Sequence, residues 1–399
     1  MYDLAVVGAG PAGTAAAIAA TDFDLRTIVV DKATFPRAKC CGDGLTTSAL
    51  RHLERMGLDP SMVPSWQIVD DVHVRAPKGR TVVLPLPHRH GIFAAVCRRS
   101  ELDAELVRLA RSKGAKILES HELTSIESHA DHVEFSAGGE AFQARYVIAA
   151  DGMWSPTKKL LGLTTKGYRG DWHAFRQYFD NVSDQAANEL IVWFEPDLLP
   201  GYAWSFPLAG GSANVGFGIR RDHGIPVGDM KQIWPDLLER PHIAEWLGAD
   251  AEPAEPHRAW PIPARLPNAV TTHGRVFFVG DAATATDPMT GEGIGQALET
   301  GAAAAAAINN AGPENPKAAT RLYRRELKLG MIPDHRMAGL LSKALGSQKV
   351  ANTALAAIDL NDWTRRNFGR WLFEDYPRAV AFNPHRWKRG TLDSDGASF

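Results

Sequence analysis

Cysteine is scarce in this chain, and neither sign of charge predominates. Three of the 399 residues are cysteine, namely Cys40, Cys41 and Cys97. They are too few and too clustered for a disulfide framework or a four-ligand metal site, so we expect no bound metal and a reducing, cytoplasmic location. The formal net charge is −2, which gives no electrostatic case for a nucleic-acid partner.

Long hydrophobic runs and targeting signals are missing as well. No stretch reaches the ~18 uninterrupted apolar residues that a membrane-spanning helix requires. A strand begins almost at Met1, which leaves no room for a signal peptide. The close histidine pair His88 and His90 has no third ligand nearby in sequence, which argues against a metal site there. The oligomeric state leaves no readable mark.

What is present begins with a strand–helix–strand unit. Leu4–Val7 and Thr27–Val30 are short apolar runs typical of fully buried strands, and Pro11–Ala20 is a helix of small residues between them. Asp31 follows the second strand, at the spacing expected of an acid that binds a ribose hydroxyl. This pattern predicts a nucleotide-binding unit, whereas a glycine turn alone would be weak support.

The turn of this unit reads GAGPAG, and its glycines have separate roles. Gly8 permits the tight turn that leaves the strand, Gly10 lets the backbone approach a pyrophosphate, and Gly13 lets helix and strand pack closely. The phosphates would then face free N–H groups at the positive end of the helix dipole.

A second glycine-rich segment lies almost the whole chain away, at Gly280–Gly295. The apolar strand before it ends in Asp281, and a glycine-containing helix opens at Gly291. One dinucleotide bound by both segments requires the two ends of the chain to fold together, with everything between them inserted. A flavin, which is long and carries a polar sugar chain, suits two such segments.

Two further polar residues lie near strand or helix ends. Arg99 precedes the helix Ser100–Ser112, where its guanidinium could pair with the same pyrophosphate; the alternative is surface charge at a helix end. Asp151 ends the apolar strand that begins at Val147, and the alternative there is a plain exit into a turn.

The middle of the chain predicts an antiparallel sheet of short, aromatic-rich strands. The period of two places Tyr202, Trp204 and Phe206 on one face. Gly216 and Gly218 share a face of the next strand and would leave it smooth. An aromatic wall over a smooth floor suits a slender apolar chain, although an ordinary core would carry the same residues. The strands in question are Ala174–Phe179, Glu189–Phe194, Tyr202–Phe206 and Asn214–Arg220, with an edge strand at Trp260–Pro263.

After Gly280 the chain is predicted to be helical. Asp362–Tyr376 interleaves aromatic residues with arginines, as a helix lying on an anionic membrane would. The alternative is a helix that closes over the substrate domain.

Several motifs carry a family resemblance. GAGPAG, the exit Ala150–Gly152 and GDAA…P…GEGI, in this order, are similar to flavoproteins of the p-hydroxybenzoate hydroxylase type. Within that superfamily, Phe35–Gly44, Pro200–Pro207 and Asn214–Gly218 resemble the geranylgeranyl reductase family. The resemblance spans roughly Met1 to Ala311.

The resemblance implies a bound FAD and the reduction of isolated double bonds in the isoprenoid chain of a lipid, quinone or prenyl group, by hydride transfer from N5 of the reduced flavin. It implies that Asp281 holds the ribitol chain, that the Gly291–Ile294 backbone faces the pyrimidine edge and that Cys41 lies near the isoalloxazine. Cys40 adds a second thiol next to Cys41, which leaves open which of the two sulfurs faces the flavin. The electron donor also stays open between NAD(P)H and a reduced protein carrier.

The predicted site has three parts. We expect catalytic roles for Cys41, Tyr202 and Trp204, and substrate contacts for Tyr202, Trp204, Phe206, Gly216 and Gly218. Cofactor contacts are expected for Gly8, Gly10, Pro11, Ala12, Gly13, Asp31, Lys32, Cys41, Gly42, Arg99, Asp151, Gly280, Asp281, Pro288, Gly291, Gly293 and Ile294.

The predicted fold is α/β: a Rossmann-like FAD-binding domain, an inserted, mostly antiparallel β-sheet substrate domain and a helical C-terminal region. The expected ranges are 1–75, 98–160 and 272–312 for the first domain, 76–97 and 161–271 for the second, 313–389 for the helices and 390–399 for a flexible tail.

Two other functions stay open. The chain could be an aromatic monooxygenase or halogenase on the same scaffold, or a flavin-carrying binding protein without catalysis. The expected partner is a prenylated lipid or quinone, with peripheral contact at the inner face of the membrane. Oxygen consumption distinguishes a monooxygenase from a prenyl reductase, because a monooxygenase consumes oxygen and a prenyl reductase does not need it.

Overall fold

The computed structural model describes residues 1–87, 90–222, 224–380 and 394–399. His88 of the histidine pair, the end of the predicted helical region at 381–389 and the start of the predicted tail at 390–393 therefore lie outside the described residues. The described end of that tail is not free, because Ala397 is buried and pairs with Ile92. The strands are β1 Tyr2–Val7, β2 Thr27–Val30, β3 Gly44–Leu45, β4 Gln67–Ile68, β5 Asp71–Arg75, β6 Thr81–Pro85, β7 Ala95–Val96, β8 Lys116–Leu118, β9 Leu123–Ser128, β10 Val133–Ala137, β11 Glu140–Ala149, β12 Trp172–Asp180, β13 Leu190–Trp193, β14 Tyr202–Leu208, β15 Ser212–Arg220, β16 Glu252–Pro253, β17 Arg258–Ile262, β18 Thr272–His273 and β19 Val276–Phe278. The helices are α1 Pro11–Asp22, α2 Thr47–Met56, α3 Arg99–Ser112, α4 Pro156–Leu160, α5 Asp184–Asn188, α6 Met230–Leu238, α7 Pro241–Leu247, α8 Ile294–Ala311, α9 Pro316–Leu329, α10 Met331–Leu345, α11 Gln348–Ile358 and α12 Asp362–Leu372.

The first sheet is built from the two ends of the chain. Its order is β18-β19-β11-β1-β2-β8, with β9 and β10 attached to the long strand β11. The pairs of β1 with β2 and β11, of β2 with β8 and of β11 with β19 are parallel. The strands β1 and β2 are apolar runs because helices or loops cover both faces of a parallel sheet.

Two helices of small residues press together behind this sheet. A side chain at Gly301 of α8 would place its Cβ 2.1 Å from the carbonyl oxygen of Ala12 in α1. Only glycine permits that approach, which brings the N-terminal turn and the Gly280 segment side by side. The alanine-rich sequence of both helices therefore serves close packing.

The second sheet has the order β16-β12-β15-β14-β13-β5-β6, with β17 pairing on β12 as an edge strand, as the sequence predicts. Its pairs are antiparallel except that of β13 with β5, which is parallel. The predicted α/β fold class, with this mostly antiparallel inserted sheet, is confirmed. The strand β5 falls within the range 1–75 that the sequence analysis gave to the first domain, yet it pairs in the second sheet.

The C-terminal helices pack on the outer strands of the second sheet. Leu355, Phe368 and Phe373 join a hydrophobic cluster with the buried residues Val72 and Leu84 of β5 and β6. Within the described part of the chain, no helix is both long enough and apolar enough to cross a membrane.

Candidate active site

A cavity of about 1080 Å³ lies between the two sheets and the C-terminal helices. One end is bounded by the glycine turn after β1 and the loop before α8. Its middle is walled by β14 and β17, and its far end by apolar side chains of α10 to α12. The cavity is therefore polar at the nucleotide end and apolar at the other.

Two glycines at the turn after β1, Gly8 and Gly13, leave no room for a side chain. Gly8 has φ +100°, and a Cβ there would lie 2.4 Å from the carbonyl oxygen of Ala150. A Cβ at Gly13 would lie 1.8 Å from the carbonyl oxygen of Gly8. Asp31 fixes the turn, because its carboxylate accepts hydrogen bonds from the N–H groups of Ala9 and Ala33 at 2.7 and 2.8 Å.

A guanidinium group approaches this turn, and it belongs to Arg37. A Cβ at Gly10 would lie 3.3 Å from Nη2 of Arg37. Arg99 also lines the cavity, but its Nε and Nη2 donate to the buried Asp103 at 2.9 and 3.0 Å. Arg37 was missed in the sequence although it lies in the Phe35–Gly44 motif; its guanidinium lies 3.3 Å from Asp103 and over the ring of Phe35.

Two acids present carboxylate oxygens to the nucleotide end. Asp151 is half-buried; its Oδ2 accepts the N–H of Thr157 at 2.8 Å, and its buried Oδ1 has no hydrogen-bond partner among the described residues. Burial raises the pKa of Asp151. Asp281 is half-buried, with Lys39 Nζ 4.0 Å from its Oδ2. A buried oxygen without a partner beside a glycine turn fits a hydroxyl-bearing ligand such as FAD.

The loop that carries the two cysteines is bound to the second sheet by a buried polar network. Asp43 accepts hydrogen bonds from Tyr178 Oη at 2.6 Å and Asn214 Nδ2 at 2.8 Å. The same amide nitrogen donates to the carbonyl oxygen of Cys41 at 2.9 Å, and Asn214 Oδ1 accepts from Trp204 Nε1 at 3.2 Å. Burial raises the pKa of Asp43. Asn214 thereby fixes the cysteine loop against the aromatic strand β14.

Both thiols of this loop line the cavity. Burial raises the pKa of Cys40 to about 11. Burial also raises the pKa of Cys41, although the Arg99 guanidinium beside it acts in the opposite direction. Both sulfurs are therefore protonated near neutral pH, as weak donors and not as nucleophiles.

The aromatic strand lies against glycines in direct register. Tyr202 pairs with Gly218 and Trp204 with Gly216. A Cβ at Gly216 would lie 2.5 Å from Cζ2 of Trp204, so the indole covers this glycine. The expected smooth floor is therefore absent at Gly216: the glycine makes room for the aromatic wall and does not line the cavity, whereas Gly218 does.

Most of the predicted site residues are brought together here. Those of the predicted set that line the cavity are Gly8, Gly10, Pro11, Ala12, Asp31, Lys32, Cys41, Gly42, Arg99, Asp151, Tyr202, Trp204, Phe206, Gly218, Asp281, Gly291, Gly293 and Ile294. Gly13, Gly280 and Pro288 stand behind the wall. Gly280 would bring a Cβ within 3.1 Å of the Ala12 Cβ, and the carbonyl of Pro288 accepts from Trp172.

Some hydrogen-bonding groups in and next to the loop before α8 are already bound by the protein itself. Glu292 Oε1 accepts the N–H groups of Ile294 and Gly295 at 2.9 and 2.8 Å. Tyr202 Oη donates to the carbonyl oxygen of Thr290. The N–H of Ile294, which the resemblance implies for the flavin edge, is thus bound by the chain itself.

The far end of the cavity was not predicted in detail. Phe368, Trp371 and Phe373 line it, and Arg370 is buried in an ion pair with Asp375. These positions favour the second interpretation of this segment, a helix that closes over the substrate domain. Its alternation of aromatic residues and arginines is the signal in the sequence, but that signal fits both arrangements.

Among the described residues, one group has side chains spaced as metal ligands: His129, His132 and Glu134 on the hairpin of β9 and β10. It lies outside the cavity wall, and the imidazole of His132 already contacts Asp131 and Glu134 at 2.8 and 3.2 Å.

Residues 1–311 match the model of the family described as FAD binding domain. The chain is 31% identical to a menaquinone reductase of Mycolicibacterium smegmatis, over 85% of this chain and 84% of that protein. It is 30% identical to a digeranylgeranylglycerophospholipid reductase of Methanopyrus kandleri, over 81% of each.

Solved structures share the fold. A geranylgeranyl bacteriochlorophyll reductase-like protein from Thermoplasma acidophilum superposes with a TM-score of 0.80 and 21% identity, covering 97% of this chain and 99% of that one. A halogenase in complex with FAD has a TM-score of 0.70 and 17% identity, covering 98% and 85%.

Proposed function

This chain belongs to the FAD binding domain family as an FAD-dependent oxidoreductase related to isoprenoid and menaquinone reductases, and we propose that it saturates isolated double bonds in the isoprenoid chain of a lipid or quinone. The shape of the cavity is the observation that supports this proposal. It runs without interruption from the glycine turn to an apolar end formed by α10 to α12. A long, slender apolar chain fits such a space, whereas a small aromatic substrate would leave most of it unfilled.

We propose that Gly8, Gly10 and the N-terminus of α1 hold the pyrophosphate, with Arg37 beside it. Asp281 and the free oxygen of Asp151 are proposed to accept cofactor hydroxyl groups. When bound, FAD in its reduced form supplies a hydride. The protein residues bind the double bond, orient it and exclude water.

The aromatic wall is proposed to bind the reacting bond. Tyr202 and Trp204 have ring centroids 5.9 Å apart, and Trp204 and Phe206 are 6.0 Å apart. Ring faces stabilise the positive charge that develops when an isolated alkene accepts hydride and proton. Cys41 is held next to this wall by Asn214, and we propose that it positions the substrate.

Anaerobic incubation of the dithionite-reduced protein with a panel of prenylated lipids and menaquinone tests this function. Dithionite makes the assay independent of whether NAD(P)H or a protein carrier is the natural donor. Mass spectrometry should show a gain of two hydrogens per reduced double bond. An unchanged panel, together with substrate-dependent oxygen consumption on aromatic compounds, would replace this proposal with the monooxygenase or halogenase alternative.

We further propose that the outer face of the C-terminal helices rests on the cytoplasmic face of an anionic membrane. Leu340 of α10, Leu360 in the turn between α11 and α12, and Trp363 of α12 are 66, 74 and 63% exposed. Exposed Lys349 and Arg366 lie on α11 and α12. Because the inner faces of these helices line the apolar end of the cavity, a lipid could pass from the bilayer into the site.

A further inference from the structure

Two carboxyl groups lie in the wall between the main cavity and a second one. The second cavity, of about 880 Å³, is lined by α2, α8, α9 and the segment 374–378. Glu292 lines the main cavity and Glu374 lines the second.

Glu374 contacts both sides of this wall. Its Oε2 accepts a hydrogen bond from Thr46 Oγ1 at 3.2 Å, and Thr46 lines the main cavity. Its Oε1 accepts from Gln296 Nε2 at 2.9 Å and Arg378 Nη2 at 3.1 Å, and both residues line the second cavity. One carboxyl group therefore spans the two spaces.

The backbone of Glu374 is strained to hold this position. Its φ is +58°, in the left-handed region that non-glycine residues rarely adopt. Such strain persists where the surrounding structure enforces it, often at functional sites.

Glu292 holds its proton near neutral pH. Burial raises its pKa to about 8, and the neighbouring charge of Glu374 contributes in the same direction. The pKa of Glu374 is also raised by burial. The two N–H groups of α8 that bind Oε1 of Glu292 act on this pKa in the opposite direction but do not offset the burial.

Other charged and polar groups surround Glu292 and Glu374. Arg378 binds Asp287 at 2.9 Å and Glu374, so its charge is shared between two acids. Within the described chain, Gln296 Oε1 and Arg378 Nη1 are buried without a partner, as is typical of polar atoms that bind ordered water. The other titratable groups that act on the pair or on Asp287 are Arg99, Cys41, Tyr202 and His335.

We propose that Glu292 supplies the proton of the double-bond reduction and that Glu374 reloads it from the second cavity. This inference rests on the proposed function. The two electrons and one hydrogen arrive as hydride from the reduced cofactor, and the second hydrogen is the proton of Glu292. The double bond becomes a single bond with two new C–H bonds. The Glu292 carboxylate then recovers a proton that enters through Glu374 and Thr46.

The first test needs no substrate and no cofactor. Infrared titration of the apoprotein should show a protonated-carboxyl band that disappears near pH 8. Glu292→Gln should lack it, since the amide keeps the acceptor for α8 but has no proton to lose. Glu374→Gln should keep the band but titrate at lower pH, because a like charge is removed. Glu245→Gln, an exposed glutamate of α7, is the matched control and should leave the band unchanged. A band unaffected by Glu292→Gln overturns the inference.

The second test uses the FAD-loaded protein under anaerobic conditions. Glu292→Gln should lower the single-turnover rate about 100-fold and remove the decline of that rate above about pH 8, with FAD occupancy unchanged. Glu374→Gln should retain most of the first turnover and slow later ones. Wild-type turnover in Glu292→Gln overturns the inference while the function stands. A wild-type protein that reduces no lipid but shows the infrared titration overturns the proposed function and leaves the proton store intact.

Discussion

At the scale of single residues, the glycine turn after β1 gives a sharp prediction. Gly13→Ala places a Cβ 1.8 Å from the Gly8 carbonyl oxygen, so we expect loss of FAD binding and a large drop in stability, on the order of 3 kcal/mol or more. Flavin absorbance after purification and the thermal midpoint measure both effects. Gly339→Ala is the control: it lies within α10 with open space around it, and it should stabilise the helix by about 0.5–1 kcal/mol. Normal FAD content in Gly13→Ala would contradict this account.

Cys40 and Cys41 occupy different positions, and we expect their substitutions to differ in their effect on activity. Cys41→Ala should slow reduction about 10- to 100-fold through lost positioning, since Asn214 fixes its backbone beside Trp204. Cys40→Ala should retain most of the activity. In the Cys41→Ala background, alkylation of Cys40 should accelerate as pH rises toward about 11, because the thiolate is the nucleophile and burial raises the pKa of this thiol. The outcome against this assignment is a Cys40→Ala protein that is as slow as Cys41→Ala.

Sequence reasoning located residues whose role is set by local backbone geometry, and it missed those set by distant partners. Gly8, Gly13 and Asp31 follow from a strand–turn–helix pattern. Glu374 lies outside every motif, and its role comes from contacts with Thr46 and Gln296 far away in sequence. Nothing in the surrounding sequence marks it. Glu292 was within the quoted GEGIG motif, but only burial and the charge of Glu374 give it a raised pKa.

At the scale of elements, the outer face of α10 to α12 makes the membrane proposal testable. A variant with Leu340, Leu360 and Trp363 all replaced by glutamate should float with anionic vesicles at least about tenfold less than the wild type, since each side chain contributes about 1.5–3 kcal/mol when buried. A matched triple glutamate variant at Phe23, Met62 and Ile68, exposed apolar residues elsewhere, should float normally. Equal flotation of both variants and the wild type would rule out these helices as the docking face.

Most elements were predicted because their patterns are local. The apolar strands β1 and β2, the helix α3 and the short strands of the second sheet all appear within a residue or two of their expected bounds. The hairpin of β5 and β6 was not identified, although Val72 and Val74 alternate with polar residues in β5 and the buried Val82 and Leu84 alternate with exposed positions in β6. Its pairing with β13 is parallel and long-range, and no local pattern specifies such a partner.

At the scale of the whole molecule, Glu292 links stability to pH. The pKa of this acid is about 8 in the folded chain, above its ordinary value of 4.5, so the folded state keeps a proton that the unfolded chain releases. Stability contributed by Glu292 is therefore lost as pH rises from about 4.5 to about 8. Glu292→Gln should match the wild type below about pH 4.5 and exceed it by on the order of 2 kcal/mol above pH 8. Denaturant unfolding at the two pH values measures this, and a constant difference between the proteins would contradict it.

The contact of Gly301 with Ala12 has a consequence for how the protein is made. The turn after β1 leaves the ribosome first, but the helix that completes its surroundings is not synthesised until residue 301 has been added. At about 5–20 residues per second, that interval is roughly 15–60 s. The nascent chain therefore carries an unfinished dinucleotide cradle through most of translation. The coenzyme therefore binds late in synthesis. A chain truncated before α8 does not bind it.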